Sequence, residues 1–502
     1  MYYGILIIHT LRSTITIQNT MKNSIEQDYA IELFQTGKNI ALMGPAGTGK
    51  TTLVAIFREL AAKSKKTIAV TALTGCAALL LGTGARTLSS WSGLFVPKGT
   101  HADVVDRFHQ GGSGYNSKNY LVWEKTDILL IDEVSMLSQY LFDILNDIAK
   151  SVRNSDLPFG GMQVICIGDF HQLPPILSAG ELNSGNYCFE SVNWNTTFPE
   201  ESHVVLKTIF RQSDPLFQSI LTGIRNEKLE PEHKTALNKC LGRVYKKEDH
   251  NGCSLPKIMP LKSQCEKIND DMFSKINEPS YEYHLDETTE YRTWVDTTIP
   301  LPDNVLEKCY KISTKVAEKE IKNLRTSSSY PEIIHLKKGA CVMCTTNLDL
   351  DNGICNGSIG TVEKCETSGV VVKFSNGKVV NISKKGWQSA DYPTIVVSQI
   401  PLMLAWAITI HKSQGATLPM AEINIGNSIF APGQVYVAVS RVKSLEGLYL
   451  TQFNPAKIKV NPKVKEFYKS CPEFDFGYET EEEEETKEEG IKFINYAYKE
   501  IN

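Results

Sequence analysis

Gly44-Pro-Ala-Gly-Thr-Gly-Lys-Thr51 is the stretch of sequence that decides the fold class. It follows an apolar run at residues 39–43 that predicts a strand, and it precedes a predicted helix, so it has both flanks of a P-loop. The glycines let backbone N–H groups face phosphate oxygens, and the amino terminus of the helix adds a favourable dipole. We predict that Lys50 reaches the terminal phosphates and that Thr51 ligates Mg²⁺. The predicted nucleotide contacts in this loop are Gly44, Pro45, Ala46, Gly47, Thr48, Gly49, Lys50, Thr51 and Thr52.

A run of apolar residues that ends in two acids supplies the partner of this loop. Leu129-Leu-Ile-Asp-Glu133 predicts a strand that carries both carboxylates to its carboxyl end. We expect Asp132 to hold Mg²⁺ from its outer coordination sphere and Glu133 to orient and deprotonate an attacking water. Hydrolysis also needs positive charge at the leaving phosphate, and Arg211 and Arg441 are candidates, although taken alone each also fits an ordinary surface position.

Apolar runs alternate with helical patterns around these motifs. The runs at residues 67–71, 128–131, 164–167 and 204–206 predict strands, and residues 137–153 predict one of the helices between them. This alternation predicts an α/β fold whose parallel sheet is covered on both faces and carries its active residues at the carboxyl ends of the strands. Residues 92–121 interrupt the pattern with Gly, Ser and Lys, which predicts a loop-rich insertion.

A different pattern occupies residues 333–385. Short strands rich in Val and Ile alternate there with Asn352-Gly353, Asn356-Gly357 and Asn376-Gly377, and Asn-Gly pairs are strong hairpin signals. We therefore predict a small all-β module. From Ile395 the α/β pattern returns, with a predicted helix at residues 434–441.

The net charge conceals two different parts. The 502 residues hold 53 Lys and Arg and 57 Asp and Glu, a net charge of -4. Residues 473–489 alone contain 10 acids and one base, so the rest of the chain has 52 bases and 47 acids and a charge of +5. A mildly basic body permits a polyanionic partner, and the acidic tract is typical of a disordered tail.

Cysteine usage and hydropathy limit the compartment. No apolar run reaches 18 residues, so we expect no transmembrane helix and no membrane partner. The 12 Cys are scattered, which fits a reducing, intracellular compartment and not secretion. Cys341 and Cys344 have a spacing that zinc sites use, but their neighbours predict a buried strand, and both interpretations stay open. The apolar first 20 residues are either a weak targeting segment or a dispensable extension before Met21.

The complete motif set resembles superfamily 1B DNA helicases of the Pif-type (petite integration frequency) group. The resemblance runs from about Ser24 to Tyr449 and adds further motifs at residues 24–27, 71–78, 87–91, 168–175, 210–212, 406–415 and 434–441. Residues 143–161 are similar to the signature that separates Pif-type enzymes from RecD-like relatives. Ser89 departs from the pattern, because the family usually has His there.

The resemblance implies an ATP-dependent 5′-to-3′ DNA helicase that translocates on single-stranded DNA and unwinds duplex. It would serve DNA replication, repair, recombination or telomere maintenance. Gln27 would contact the adenine, and Gln172 would sense the γ-phosphate. The implied catalytic residues are Lys50, Glu133, Gln172, Arg211 and Arg441. The implied DNA contacts are Thr74, Gly75, Ser90, Trp91, His171, Thr409, His411 and Lys412, although Trp91 and His411 also fit buried positions.

The resemblance also implies an architecture, with ATP bound between two RecA-like P-loop domains and single-stranded DNA across their top. The implied limits are 1–23 for an N-terminal extension, 24–205 for the first RecA-like domain with a wedge insertion at about 92–121, 206–332 and 386–470 for the second, 333–385 for an inserted β-barrel of Src-homology type, and 471–502 for the tail.

The implied partners are single-stranded DNA and forked duplex, with quadruplex DNA or an RNA–DNA hybrid as further substrates, and the protein would be a monomer in solution. The nucleus, the mitochondrion and a viral replication site all stay open as compartments. Two other classes of protein stay open as well. One is an ATP-switched clamp that binds DNA without unwinding it, and the other is a zinc-dependent binding module.

Overall fold

The structure is a computed structural model that describes residues 23–472, apart from residues 75–76, 79–80, 83–84, 95–99, 110–116, 176–184, 211–213, 246–254, 289–310, 329–330, 347, 350–351, 355–357, 389–391, 393, 417 and 419. Residues 473–502 of the predicted tail, and all but one residue of the predicted N-terminal extension, lie outside this range. Gly75, Arg211 and the Asn356-Gly357 pair also lie outside the described residues.

Strands and helices alternate along most of the described chain. The strands in chain order are β1 (Ile40–Met43), β2 (Ile68–Ala72), β3 (Arg86–Thr87), β4 (Ile128–Asp132), β5 (Gln163–Gly168), β6 (His203–Val205), β7 (Lys257–Met259), β8 (Tyr281–His284), β9 (Asp286–Thr288), β10 (Ile333–Leu336), β11 (Cys341–Cys344), β12 (Ile359–Glu366), β13 (Gly369–Phe374), β14 (Val379–Ile382), β15 (Lys385–Gln388), β16 (Val396–Gln399), β17 (Leu402–Leu404), β18 (Ala407–Thr409), β19 (Ala421–Ile425) and β20 (Leu448–Phe453). The helices are α1 (Ile25–Gln35), α2 (Lys50–Lys63), α3 (Leu88–Ser92), α4 (His101–His109), α5 (Ser117–Lys125), α6 (Gln139–Val152), α7 (Val192–Thr197), α8 (Pro215–Arg225), α9 (Pro231–Cys240), α10 (Lys262–Ser274), α11 (Thr314–Ser328), α12 (Ile410–Ser413), α13 (Gln434–Val439) and α14 (Pro462–Ser470).

The first domain is built on one parallel sheet with the strand order β3-β2-β4-β5-β1-β6. The spacing of Ser24 and Gln27 predicts a capped helix start, and helix α1 begins there because the two residues form a reciprocal capping box. Helix α2 begins at Lys50, directly after the P-loop, at the carboxyl end of β1. The strands predicted at residues 39–43, 67–71, 128–131, 164–167 and 204–206 and the helix predicted at residues 137–153 are confirmed to within two residues.

The second domain has a smaller parallel sheet with the order β18-β7-β19-β20. Ile258, Ile408 and Ile423 from its strands lie in one buried cluster together with apolar side chains of α8, α9 and α13. Burial of apolar side chains against a sheet is the main favourable contribution to folding such a layer. The predicted α/β class, with parallel sheets in two domains, is confirmed.

An antiparallel module is inserted between strands of the second sheet. Its largest sheet has the order β14-β13-β12-β11-β17, and β8 with β10 and β15 with β16 and β9 form two smaller sheets. The predicted all-β character is correct, but the limits 333–385 are too narrow because β8, β9, β16 and β17 lie outside them. The α/β pattern resumes at β18 and not at Ile395, since β17 pairs with β11. Gly377, at φ +83°, forms the predicted turn between β13 and β14.

The insertion predicted as loop-rich at residues 92–121 is helical where it is described. Helix α4 and the start of α5 lie in it, and Val104 and Phe108 of α4 are buried in the core of the first domain. The prediction was wrong because the glycines at residues 111–114 dominate the composition, whereas the apolar residues on either side determine the packing. These helices therefore belong to the first domain's core.

Helix α14 is the second departure from the predicted domain limits. It follows the last strand of the second domain in sequence, yet Val464 and Phe467 are buried in the first domain's core. The ring of Phe467 lies 5.0 Å from that of Phe170 and 4.6 Å from that of Phe189, measured between centroids. Residues 462–472 thus pack with the first domain, although the sequence places residues up to 470 in the second.

No helix in the described part of the chain is long and apolar enough to cross a membrane. Cys344 is buried on strand β11, and Cys341 is half-buried at its start, so the predicted buried strand is confirmed. Among the described residues, no group of three or more His, Cys, Asp or Glu side chains could hold a metal ion. The cysteine doublet is therefore part of the β module's core, and the described chain offers no zinc site around it.

Candidate functional site

The P-loop has the backbone geometry that phosphate binding requires. Gly47 and Gly49 have φ values of +90° and +81°, in the left-handed region that favours glycine. A Cβ on Gly49 would lie 2.5 Å from Nε2 of Gln27, so a side chain there would displace the Gln27 amide. The Lys50 ammonium donates hydrogen bonds of 2.7 Å to the carbonyls of Gly44 and Pro45. Burial lowers the pKa of Lys50, against the opposing charges of nearby carboxylates.

The side of the P-loop next to Gln27 offers a place for the adenine ring of the nucleotide. Gln27 is buried, and its Nε2 donates to the carbonyl of Thr48 at 3.1 Å, which fixes the side chain beside the P-loop. Phe210 donates from its backbone N–H to the Gly47 carbonyl, and its ring is 44% exposed and 3.8 Å from a Cβ built on Gly49. An exposed aromatic face beside the predicted base-reading Gln27 suits a purine ring. The sequence predicted Gln27 but not Phe210.

Two carboxylates stand at the carboxyl end of β4, as predicted. Burial and the neighbouring charge of Glu133 raise the pKa of Asp132 to about 7. The charge of Lys50 opposes this rise only in part, and carboxylate and hydroxyl oxygens are the ligands that Mg²⁺ prefers. Thr51, in the first turn of α2, is exposed and can supply the hydroxyl. These residues fit a Mg²⁺ ion bound together with nucleotide phosphates.

Glu133 also contacts the second domain directly. Its backbone is in the left-handed region at φ +57°, and its Oε2 accepts a hydrogen bond of 3.1 Å from Nε2 of Gln414. Gln414 is buried and follows α12. The sequence predicts Glu133 as the residue that acts on water, but nothing in it singles out Gln414 as its partner. The hydrogen bond places the predicted base at the boundary between the two domains.

Arg441 is buried and is held by its own domain. Its guanidinium donates to the carbonyls of Val437 at 2.8 Å and Ala416 at 3.2 Å and to the Ser440 hydroxyl at 2.8 Å. Ala416 lies two residues after Gln414, so this arginine supports the segment that contacts Glu133. Its predicted contact with phosphate stays a prediction, as does that of Arg211, which lies outside the described residues.

Asp169 lies at the centre of a buried polar cluster that spans both domains. Arg225 of helix α8 donates two hydrogen bonds to it, at 3.2 and 3.0 Å, and the Tyr468 hydroxyl of α14 donates a third at 3.1 Å. Burial disfavours the charged carboxylate, yet Arg225 and His171 hold the pKa of Asp169 well below its usual range. Asp169 is also the first of the charges that oppose the lowering of the Lys50 pKa. The motif containing Asp169 was recognised, but its partners Arg225 and Tyr468 were missed.

The boundary between the domains is closely packed at the predicted motifs. The N–H of Ala46 in the P-loop donates to the Tyr436 hydroxyl of α13 at 3.3 Å. A Cβ on Gly433 would lie 2.4 Å from the carbonyl oxygen of Gln172, so the two backbones touch there. Gln172 is buried at this contact. Its proposed γ-phosphate contact stays a prediction.

Two of the predicted DNA contacts are buried and are corrected. Trp91 is 1% exposed and packs against Trp123, with ring centroids 4.5 Å apart, so it is a core residue of the first domain. His171 is 8% exposed, stacks on Tyr468 and lies 3.3 Å from Asp169 through Nδ1. Its role is therefore in the Asp169 cluster. Apolar packing buries Trp91 and the polar Asp169 cluster buries His171, so neither position keeps the exposure that DNA contact needs.

The other predicted DNA contacts in the described chain keep accessible surface. Ser90 is exposed, and Thr74 is half-buried, where its hydroxyl accepts from the Ala77 N–H. Thr409 caps helix α12 by accepting from the Lys412 N–H. His411 and Lys412 follow strand β18 at its carboxyl end, and Lys412 is exposed.

Phe430 was missed by the sequence reasoning and stands beside these residues. Its side chain is 63% exposed, and its ring stacks on that of His411 with centroids 6.2 Å apart and an interplanar angle of 18°. Burial lowers the pKa of His411, which favours the neutral imidazole. An exposed aromatic pair next to a lysine is the arrangement on which nucleic-acid bases stack.

The structure has two parallel-sheet domains. The first carries a P-loop and a pair of carboxylates, and the second contacts the P-loop at Ala46 and the carboxylates at Glu133. These features define a P-loop ATPase of the RecA-like type. The sequence pattern of the family described as "PIF1-like helicase" matches residues 17–224, and that of "DNA helicase Pif1, 2B domain" matches residues 322–364. The chain belongs to the PIF1-like helicase family.

Relatives in this family are similar to this chain over nearly its whole length. The ATP-dependent DNA helicase Pif1 of Bdellovibrio bacteriovorus is 33% identical over 450 residues, which are 89% of this chain and 91% of the relative. The Xenopus laevis ATP-dependent DNA helicase PIF1 is 31% identical over 462 residues, 91% of this chain but 66% of the relative, so the chain spans about two thirds of that protein's length. The crystal structure of the Bacteroides Pif1 helicase in complex with ADP-AlF3 and ssDNA is similar to this structure with a TM-score of 0.69 and 28% sequence identity. The match covers 90% of this chain and 97% of the Bacteroides chain. The family, fold and class of enzyme predicted from the motifs are confirmed.

Proposed function

We propose that this protein is an ATP-dependent 5′-to-3′ DNA helicase that translocates on single-stranded DNA and unwinds duplex. ATP-dependent DNA helicase activity is the activity of the family to which the chain belongs. The observation that carries the proposal for this chain is the hydrogen bond between Glu133 and Gln414, since it joins the predicted catalytic base of one domain to the other domain. A motor needs such a link between phosphate chemistry and domain movement.

The first domain supplies the hydrolytic chemistry. Thr51 and Asp132 would hold Mg²⁺, which neutralises phosphate charge when bound. Lys50 must leave the Gly44 and Pro45 carbonyls to reach the terminal phosphates, and it exchanges two neutral acceptors for charged ones. Glu133 orients the attacking water and accepts its proton, while the Gln414 amide fixes the orientation of the carboxylate.

The second domain responds to the nucleotide through its contacts with the first. Tyr436 touches the P-loop at Ala46, and Arg441 supports the segment that carries Gln414. ATP gives these groups an anionic partner that ADP lacks, so binding and hydrolysis shift the population between closed and open arrangements of the domains. Each cycle moves one domain along the strand. Gln172, at the contact with Gly433, is placed to couple the phosphate to this movement.

The DNA track follows the carboxyl ends of the strands in both domains. Thr74 and Ser90 contact phosphates from the first domain, and Thr409, His411 and Lys412 do so from the second. Phe430 stacks a base against the face that His411 leaves free. Single-stranded DNA and forked duplex are the substrates that follow, and quadruplex DNA and RNA–DNA hybrids are further forms for the same track. The β module is a barrel of Src-homology type next to it.

A directional unwinding assay tests the proposal. Forked duplexes that carry only a 5′ tail or only a 3′ tail are mixed with protein, Mg²⁺ and ATP, and the released strand is measured. We expect release only from the 5′-tailed substrate, and we expect Lys50→Ala to abolish hydrolysis and release while the Kd for single-stranded DNA changes less than about threefold. ATP hydrolysis without release of either strand would identify an ATP-switched clamp, and no hydrolysis with single-stranded DNA present would reject the enzyme.

A further inference from the structure

The Asp169 cluster contains one residue from a part of the chain that carries none of the helicase motifs. Tyr468 lies on helix α14, beyond the motif set, and its hydroxyl donates to Oδ1 of Asp169 at 3.1 Å. The same hydroxyl accepts from the backbone N–H of Phe170 at 3.2 Å. One hydroxyl thus ties the carboxylate of Asp169 to the backbone that follows it.

Arg225 brings the second domain into the same cluster. Its guanidinium grips both oxygens of Asp169 and also lies over the Tyr468 ring, with its central carbon 5.0 Å from the centroid. The Asp169 carboxylate has no exposed surface, and a buried charge is stable only when it is fully paired. His171 completes the cluster by stacking on Tyr468 and pointing Nδ1 at the same carboxylate.

The cluster borders the nucleotide site on two sides. Ala46 of the P-loop is hydrogen-bonded to Tyr436, which lines one small cavity together with His171 and Arg225. Lys50 is close enough for Asp169 and Arg225 to act on its pKa in opposite directions. A change in the rotamer of Asp169 would therefore alter both the field at Lys50 and the position of helix α8.

We infer that Tyr468 is a positioning residue for ATP hydrolysis: its hydroxyl fixes the Asp169 carboxylate, which in turn holds Arg225 of the second domain against the nucleotide site. This inference rests on the proposed function and adds to it a residue outside the motif set. Since Tyr468 acts through Asp169 and Arg225, we expect its effect in turnover and not in ATP affinity. The bidentate Arg225–Asp169 pair is the part that transmits the effect, because it joins helix α8 of the second domain to the carboxylate that Tyr468 fixes.

The test is a double-mutant cycle in the DNA-stimulated ATPase of the full chain. Tyr468→Phe keeps the ring stacked on His171 and removes only the hydroxyl. Arg225→Lys keeps the positive charge and removes the planar guanidinium that binds both oxygens of Asp169. We expect each variant to lower kcat about tenfold with KM for ATP within about twofold of wild type. The double variant should have a kcat within about twofold of that of Arg225→Lys alone, since the transmitting pair is already lost.

Tyr449→Phe is the matched control, because Tyr449 packs edge-on against Tyr245 and lies under Arg243 in the second domain. We expect it to leave kcat unchanged. A kcat of Tyr468→Phe within about twofold of wild type, or an equal loss in both backgrounds, would overturn the inference. If Tyr468→Phe does not fold, Arg225→Lys alone decides, since a normal kcat in that variant also overturns it. A wild-type protein that hydrolyses no ATP rejects the proposed function itself, together with the inference.

Discussion

Substitution of Gly433 tests whether the contact between the two domains is required for turnover. Gly433 precedes helix α13, has φ +78°, and faces the first domain, where an added Cβ would lie 2.4 Å from the Gln172 carbonyl oxygen and 2.7 Å from that of His171. Ordinary van der Waals contact begins near 3.4 Å, so Gly433→Ala must displace the domains by roughly 1 Å. The carbonyls are backbone atoms and cannot move aside as a flexible side chain would.

Two costs follow from this geometry. The left-handed conformation costs alanine about 1–2 kcal/mol, which lowers the free energy of unfolding. A displacement of roughly 1 Å would also break the 3.3 Å hydrogen bond between Ala46 and Tyr436, worth about 1 kcal/mol, and move Arg441 and Gln414 away from Glu133. Misplacement of catalytic groups by about 1 Å can cost on the order of 100-fold in rate. We expect kcat to fall about 10- to 100-fold.

The assay is steady-state ATP hydrolysis with saturating single-stranded DNA, together with denaturant unfolding. Gly242→Ala is the matched control, because Gly242 has φ +67° in the second domain and an added Cβ there meets no atom within 4 Å. It should share the cost of the left-handed conformation, about 1–2 kcal/mol, but keep a kcat within about twofold of wild type. A Gly433→Ala protein that turns over as fast as Gly242→Ala would refute the reasoning that this contact sets the geometry of the site.

Three further substitutions test other features. Phe430→Ala should raise the Kd for single-stranded DNA about tenfold or more at fixed salt, measured by fluorescence anisotropy, whereas Phe430→Tyr should not; equal values for both variants would exclude base stacking there. Trp91→Ala should lower the free energy of unfolding by about 3–5 kcal/mol in denaturant titration, and a loss below about 1 kcal/mol would contradict its buried position. Gln414→Ala should lower kcat about tenfold by freeing the Glu133 carboxylate, with an unchanged Kd for DNA, and a normal kcat would remove Gln414 from the catalytic arrangement.

The sequence predicts well whatever is determined by neighbouring residues. The P-loop, the capped start of α1 and strand β4 with Asp132 at its end depend on spacings of a few residues, and the structure has them where predicted. Parallel pairing then follows from the alternation of strands and helices. The family resemblance rests on these same short motifs, and through it the sequence predicted the fold class and the activity.

What the sequence did not predict depends on contacts between distant residues. Nothing near Arg225 or Tyr468 indicates that both meet Asp169, and nothing near Phe430 indicates that it stacks on His411. The limits of the β module were misjudged because β17 joins its sheet only by pairing with β11. The helices of the insertion were misread, and Trp91 was left open between DNA contact and burial, because local composition does not reveal which side of a short helix meets the core.

The docking of helix α14 constrains the order in which the protein folds. Synthesis proceeds from the amino terminus, and domains generally fold as they leave the ribosome. Here Tyr468 lies 299 residues after Asp169, so the domain synthesised first waits for nearly the last described residues to complete its core. Until then Phe170, Phe189 and Trp194 lack the cover of Phe467. A nascent chain stopped before residue 462 would present this aromatic surface to chaperones and proteases.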